Sequence, residues 1–156
     1  MSNSAHPDWA PDLDNELSQL IRLQHVMDAP DYEKNYEKPV RRAIDTAYAA
    51  HFRALLEFFH DGRPKKKPVI SDLTYGEVAN EKSPFTYSSY SEQRLEDADK
   101  LVGHLSKSRR SRTSAWGTQQ DWKVMWPMIQ RLLSRPGTIS LLPETQAALK
   151  ESNLTP

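Results

Sequence analysis

The chain has 156 residues, the size of one domain, and at that length folding buries roughly two-thirds of the unfolded surface, so a core without covalent staples is expected. It holds no cysteine, which excludes disulfides, thiolate metal sites and cysteine nucleophiles, and no apolar run approaches the ~20 residues of a spanning helix. The formal net charge of +0 conceals a segregation: residues 1–40 carry eight acidic and three basic side chains, and residues 101–135 carry seven basic and one acidic, so one region attracts anions and another repels them.

Hydrophobic content is only 37%, but four Trp, six Tyr and four Phe supply large apolar surfaces, and a thin aromatic-rich core is expected. The opening MSNSAHPDWAPD lacks the basic-then-apolar pattern of a signal segment, so a soluble cytoplasmic protein is the expectation. Residues 1–12 read as a flexible arm with Trp9 pinning it to the body. Leu13, Leu17, Leu20, Ile21 and Met27 then fall at helical spacing and predict a first helix. His25 on that helix has no second ligand at helical spacing and reads as a surface residue. Residues 28–38 predict a connection with space for one helical turn.

Pro39 suits the first turn of the next helix, where a missing N–H leaves no bond unmade. From Val40 to Phe59 the residues Val40, Ile44, Ala47, Tyr48, His51, Leu55 and Phe58 mark one apolar stripe, and Phe52, Leu56 and Phe59 widen it. This is the expected central helix, with His51 as a core histidine bonded to a neighbouring helix and Gly62 in the stop position. Residues 61–90 are the longest stretch without periodicity. Arg63, Lys65, Lys66 and Lys67 lie around Pro64 and Pro68, which favours an extended, solvated loop; a loop of this length is also a candidate for phosphate contact. Val69, Ile70, Leu73 and Tyr75 predict either a short strand or a fold-back onto the helices.

A third helix is expected to start at Ser89 or Ser91, with Leu95, Ala98, Leu101, Val102 and Leu105 facing the core. Acidic residues at its start and Lys107, Arg109 and Arg110 at its end complement the helix dipole. His104 lies on the margin of its core stripe. Residues 111–118 read as a loop with Thr118 capping a fourth helix, Gln119 to Ser134. That helix carries Trp122, Met125, Trp126, Ile129, Leu132 and Leu133, and Pro127 is expected to kink it or delay its start. The aromatic stripe is read as core and not as a base-stacking platform. Residues 13–135 thus form the helical domain, and residues 136–156 a tail with one short helix, Glu144 to Lys150.

The chain has no glycine-rich phosphate loop, paired-cysteine site, HExxH or GxSxG motif. Asp97 and His104 are almost two helical turns apart, too far for easy joint ligation, so no metal and no cofactor is expected. What remains is a histidine beside cations. An imidazole titrating near neutrality moves protons, and Lys or Arg holds a phosphate and its developing charge. RNA brings its own 2′-hydroxyl nucleophile, so such a site needs no metal. Lys100, one turn before His104, shares its face, and Arg109 follows five residues later. The same residues also describe an ordinary capped helix.

The stretch AHFRALLEFF (Ala50 to Phe59), the later DKLVGHLSKSR (Asp99 to Arg109) and the Trp-led helix after them resemble HEPN-type proteins. The likeness is to a bacterial HEPN-like group marked by a histidine, then Leu, then Ser or Thr, and an arginine four residues after that Leu. It covers about residues 13–135 and rests on His51, Arg53, Leu55, Phe58 and Phe59, and on His104, Leu105, Ser106 and Arg109. The resemblance implies an all-α, antiparallel up-and-down bundle of four main helices with a long loop between the second and third. It also implies a homodimer that brings histidine helices together, and a bacterial RNA-associated function, in some members metal-independent ribonuclease activity in phage defence or RNA processing. Active members carry an arginine ahead of the histidine with four to six residues between them. Here Asp97, Ala98 and Asp99 stand there.

By that likeness His104 is the proton-transfer group, with Lys100 and Arg109 on the phosphate. Arg63, Lys65, Lys66, Lys67, Lys107 and Arg110 are the further RNA-phosphate contacts. The alternative is a catalytically inactive interaction or dimerisation module, with His104 buried or at an interface and the basic residues facing a protein partner's acids.

Overall fold

The computed structural model describes residues 7–64, 73–103 and 115–156, and among these the chain is all-helical with no strand. Helix α1 (Ala10–Met27) starts ahead of the expected Leu13 because Pro11 fits its first turn. A single turn, α2 (Tyr32–Asn35), lies in the predicted connection. Helix α3 (Lys38–Phe59) has Pro39 in its first turn and packs against α1 and later helices on more than one side, as its broad apolar face predicts.

The stripe of α3 is not buried along its whole length. Tyr48, Phe52, Leu55, Leu56 and Phe59 are almost fully covered, but Val40 is 45% exposed. The Tyr48 hydroxyl donates to Gln24 Oε1 at 2.6 Å, and α1 ends three residues after Gln24, so the first turns of α3 have little of α1 to pack against. His51 Nδ1 meets Glu16 Oε2 of α1 at 2.7 Å, the neighbouring-helix bond expected of it.

Asp61 takes the left-handed conformation at φ 54, one residue before Gly62 at φ 120, and α3 ends there. The Asp61 carboxylate then accepts from the backbone N–H of Gly76 at 2.8 Å and of Ser83 at 2.9 Å, which straps the following segment to the end of α3. Within the stretch expected to be a loop lies a short helix, α4 (Tyr75–Ala79), closed by a Thr74–Glu77 capping box. Leu73 and Tyr75 fold back onto the helices; Tyr75 is fully buried and meets Phe58, Phe59 and Phe85. Val69 and Ile70 lie outside the described residues.

Helix α5 (Ser89–Gly103) is capped by Ser88, one residue ahead of the expected candidates, through Ser88 Oγ accepting from Ser91 N at 3.1 Å. Leu95 and Ala98 are buried, and Leu101 and Val102 pack at the core margin. Helix α6 (Gln119–Leu133) has the predicted Thr118 cap, in a box with Asp121, and continues through Pro127 instead of starting late. Its buried face is Asp121, Met125, Met128, Ile129 and Leu132. Trp122 and Trp126, expected in the core, stand about 100° round the helix from Asp121 and Met125 and are half-buried, stacked on each other at 5.2 Å and 16°.

After a 3-10 turn at Ile139–Leu141, α7 (Pro143–Glu151) packs along α1. Leu142, Ala148 and Leu149 enter the same core as α1 and α3. Buried Asp14 of α1 accepts from Glu144 N at 3.0 Å and Thr145 N at 2.7 Å, satisfying two amides that every helix leaves open at its N-terminus. Among the described residues, no helix is long and apolar enough to cross a membrane.

Candidate functional site

Of the residues singled out from the sequence, Lys100 and Arg63 are described, and the structure gives both a partner. Lys100 sits in the last turn of α5, 40% exposed, with its Nζ 4.0 Å from Glu96 Oε2. An exposed helix pair at that distance contributes a few tenths of a kcal/mol at most, so the ammonium is readily drawn away by a phosphate. His104, Arg109, Lys65, Lys66, Lys67, Lys107 and Arg110 lie outside the described residues.

Arg63 is not the solvated cation that the loop composition suggested. Its guanidinium forks onto Asp99, Nη1 to Oδ2 at 2.9 Å and Nη2 to Oδ1 at 3.0 Å, while its Nε donates to Glu57 Oε1 at 2.7 Å. Arg53 of α3 donates to the same Asp99 at 3.2 Å. The Asp99 hydrogen bond raises the Arg63 pKa above its ordinary value, against the opposing effect of burial. Burial pushes the Asp99 carboxyl up, but the bonds and charges of Arg63 and Arg53 outweigh it and hold the group below the usual carboxylate range. Two guanidiniums facing two carboxylates make this junction of α3 and α5 neutral. Both Asp99 oxygens are engaged by arginines.

One turn earlier on α5, Arg94 enters the interior with only 5% exposure. Its Nε and Nη2 donate to the two oxygens of fully buried Asp121 at 2.8 and 2.9 Å, and Nη2 also reaches Ala115 O at 3.0 Å. The guanidinium lies over the Trp116 ring at 3.6 Å, a favourable cation–π arrangement. Asp121 also accepts from the Tyr90 hydroxyl at 2.7 Å and from Thr118 N at 3.2 Å. This arginine ties α5 to the Ala115–Trp116 segment that leads into α6.

A second polar cluster adjoins it. Gln24 donates through Nε2 to Asp28 Oδ1 and to Gly117 O, both at 2.9 Å, while its Oε1 takes the Tyr48 hydroxyl. Burial foremost, with the charge of Asp121 adding, raises the Tyr48 pKa well above its ordinary value, so the phenol stays a donor. Gly117 has φ +66, the left-handed conformation that favours glycine, and a Cβ there would press on the Met27 side chain of α1.

Neither Arg53, named in the sequence only for its likeness, nor Arg94 stands out there as part of a polar site. Two signals pointed to the buried pair: Asp121 is the single acid among residues 101–135, and Thr118 stands three residues before it as a capping residue does. Nothing local showed that the arginine would come from α5. Compared with protein-family models, curated proteins and solved structures, the chain matches none.

Proposed function

We propose that this chain is an RNA-associated protein of the HEPN-like kind, gripping the RNA backbone beside the α3–α5 junction. The observation that carries the proposal is the junction itself. Arg53, Arg63 and Lys100 gather at or beside Asp99 on α5, five residues before His104. Arg63 leads directly into Lys65, Lys66 and Lys67, and α5 leads into Lys107, Arg109 and Arg110. The two most basic stretches of the sequence therefore set out from one anchored face. In the catalytic form of this reading His104 moves the proton, and Lys100 and Arg109 hold the phosphate. The fold it carries is an antiparallel up-and-down bundle of α1, α3, α5 and α6, working as a homodimer.

One observation favours a second reading, a non-catalytic interaction module. Arg53 and Arg63 are neutralised by Asp99 and Glu57, so the described junction offers little unpaired positive charge to a transition state. One experiment separates the two. Labelled RNA is incubated with the protein and its His104→Ala variant in EDTA, and RNA binding is followed against salt. Cleavage lost in the variant supports the ribonuclease. Binding that falls steeply with salt, without cleavage, supports RNA association alone. Absence of both sinks the RNA proposal and leaves the interaction module. Light scattering tests the dimer.

A further inference from the structure

Trp122, assigned to the core from the sequence, is only partly buried against it and lines a groove. The groove occupies about 230 Å³ between the end of α1 and the first turns of α6, and is lined by Gln24, Asp28, Gln119, Trp122 and Lys123. That is below the roughly 300–1,000 Å³ of drug-sized sites, a space for a single ring system. We infer that this groove binds one nucleobase, stacked on Trp122 and held at its edge by Asp28, a role that rests on the RNA association proposed above.

Three features select a base over other planar groups. Trp122 is fixed from behind by its stack on Trp126 at 16°, so its indole is a rigid platform, and base stacking on such platforms tolerates any sequence. Gln24 has both amide atoms committed to Tyr48, Asp28 and Gly117. It is therefore a fixed wall that holds one Asp28 oxygen and leaves the other to accept from a ligand. Finally, Gln119 and Lys123 make no hydrogen bond or ion pair with the described residues, which leaves an amide for the base edge and an ammonium for the adjoining phosphate. A carboxylate accepts from an N–H on a base edge, an exocyclic amino group of adenine, cytosine or guanine or the ring N3–H of uracil, so all four bases fit this edge.

The test uses the full chain with the four nucleoside monophosphates and a single-stranded oligoribonucleotide as probes, following the Trp122 indole N–H resonance, assigned through Trp122→Phe. The expected result is a concentration-dependent shift with each of the four nucleotides. Trp122→Ala should weaken oligonucleotide binding about tenfold, the loss of one stacked base, and Trp122→Phe should restore most of it. Asp28→Asn, a change at the surface that keeps the Gln24 bond, removes the free carboxylate oxygen and should weaken the nucleotide-induced shift. An unmoved indole resonance, or an oligonucleotide affinity equal in the native chain and Trp122→Ala, overturns the base site. Salt-sensitive RNA binding that ignores Trp122 leaves the RNA association standing without this groove. Nucleotides that shift the indole while RNA fails to bind do the reverse.

Discussion

Replacing Asp121 by alanine should be the most damaging single change in the described polar framework. The carboxylate is fully buried and accepts from Arg94 twice, from the Tyr90 hydroxyl and from the Thr118 amide. Its removal leaves a guanidinium with 5% exposure against an indole, holding only Ala115 O at 3.0 Å and the more distant Asp97 carboxylate at 3.6 Å. Breaking a buried pair from one side costs about 3–5 kcal/mol, and the same carboxylate closes the α6 capping box, worth about 1 kcal/mol by itself. Because one group serves both roles the two figures overlap, and a loss of about 4 kcal/mol is expected. For a chain of this length that lowers Tm by about 10 °C.

Urea unfolding of Asp121→Ala should show the midpoint falling with an unchanged slope. The double variant Arg94→Met with Asp121→Leu should recover part of the loss, since the stranded guanidinium is gone and the one charge left beside it, Asp97, keeps the Gln93 amide as a donor. As a control, Glu151→Gln alters the Arg22–Glu151 pair at the surface, where the partners are 29% and 55% exposed, and should cost less than about 1 kcal/mol. A loss in Asp121→Ala no larger than that control would refute the reasoning, because it would mean that Arg94 regains water at no cost.

Two further outcomes test other parts of the framework. His60 lies half-buried against Tyr87, its Nδ1 2.7 Å from Leu56 O and its ring stacked at 4.0 Å, and burial lowers its pKa below the ordinary 6.5 despite its backbone bonds and Asp61 nearby. The folded state therefore takes up its proton later than the unfolded chain. Stability should be flat above about pH 7 and fall as pH drops from about 6.5 through the lower folded pKa. His60→Phe should remove that part of the slope, and a stability difference from the native chain that does not vary with pH would contradict it. Asp14→Ala should cost about 1–2 kcal/mol and lower hydrogen-exchange protection in α7 first, since Asp14 satisfies the Glu144 and Thr145 amides; a uniform loss across the chain would argue against a cap.

The long helices were legible because their causes are local. Periodic apolar residues, Pro39 in a first turn and Thr118 ahead of Gln119 act within a few residues, so they wrote the all-α class, the positions of α3 and α6, and the His51 bond to a neighbouring helix. The short α4 escaped because a five-residue helix has no period to detect, and its Thr74–Glu77 box lies in a stretch dominated by Pro and Lys. Burial was the harder quantity. Helical spacing says that Val40 and Trp122 share a stripe with core residues, but whether a neighbour covers that part of the stripe depends on where α1 ends and how α6 is rotated.

Charge divides in the same way. The sequence by itself determined that the chain is helical and that its cations cluster after Gly62 and after Gly103. Only the tertiary structure decided that Arg63 is held by Asp99 and Glu57, that Arg94 is buried on Asp121, and that Trp122 borders a groove. Helix signals travel a few residues along the chain, whereas each of these pairings closes a gap of many residues that only packing selects.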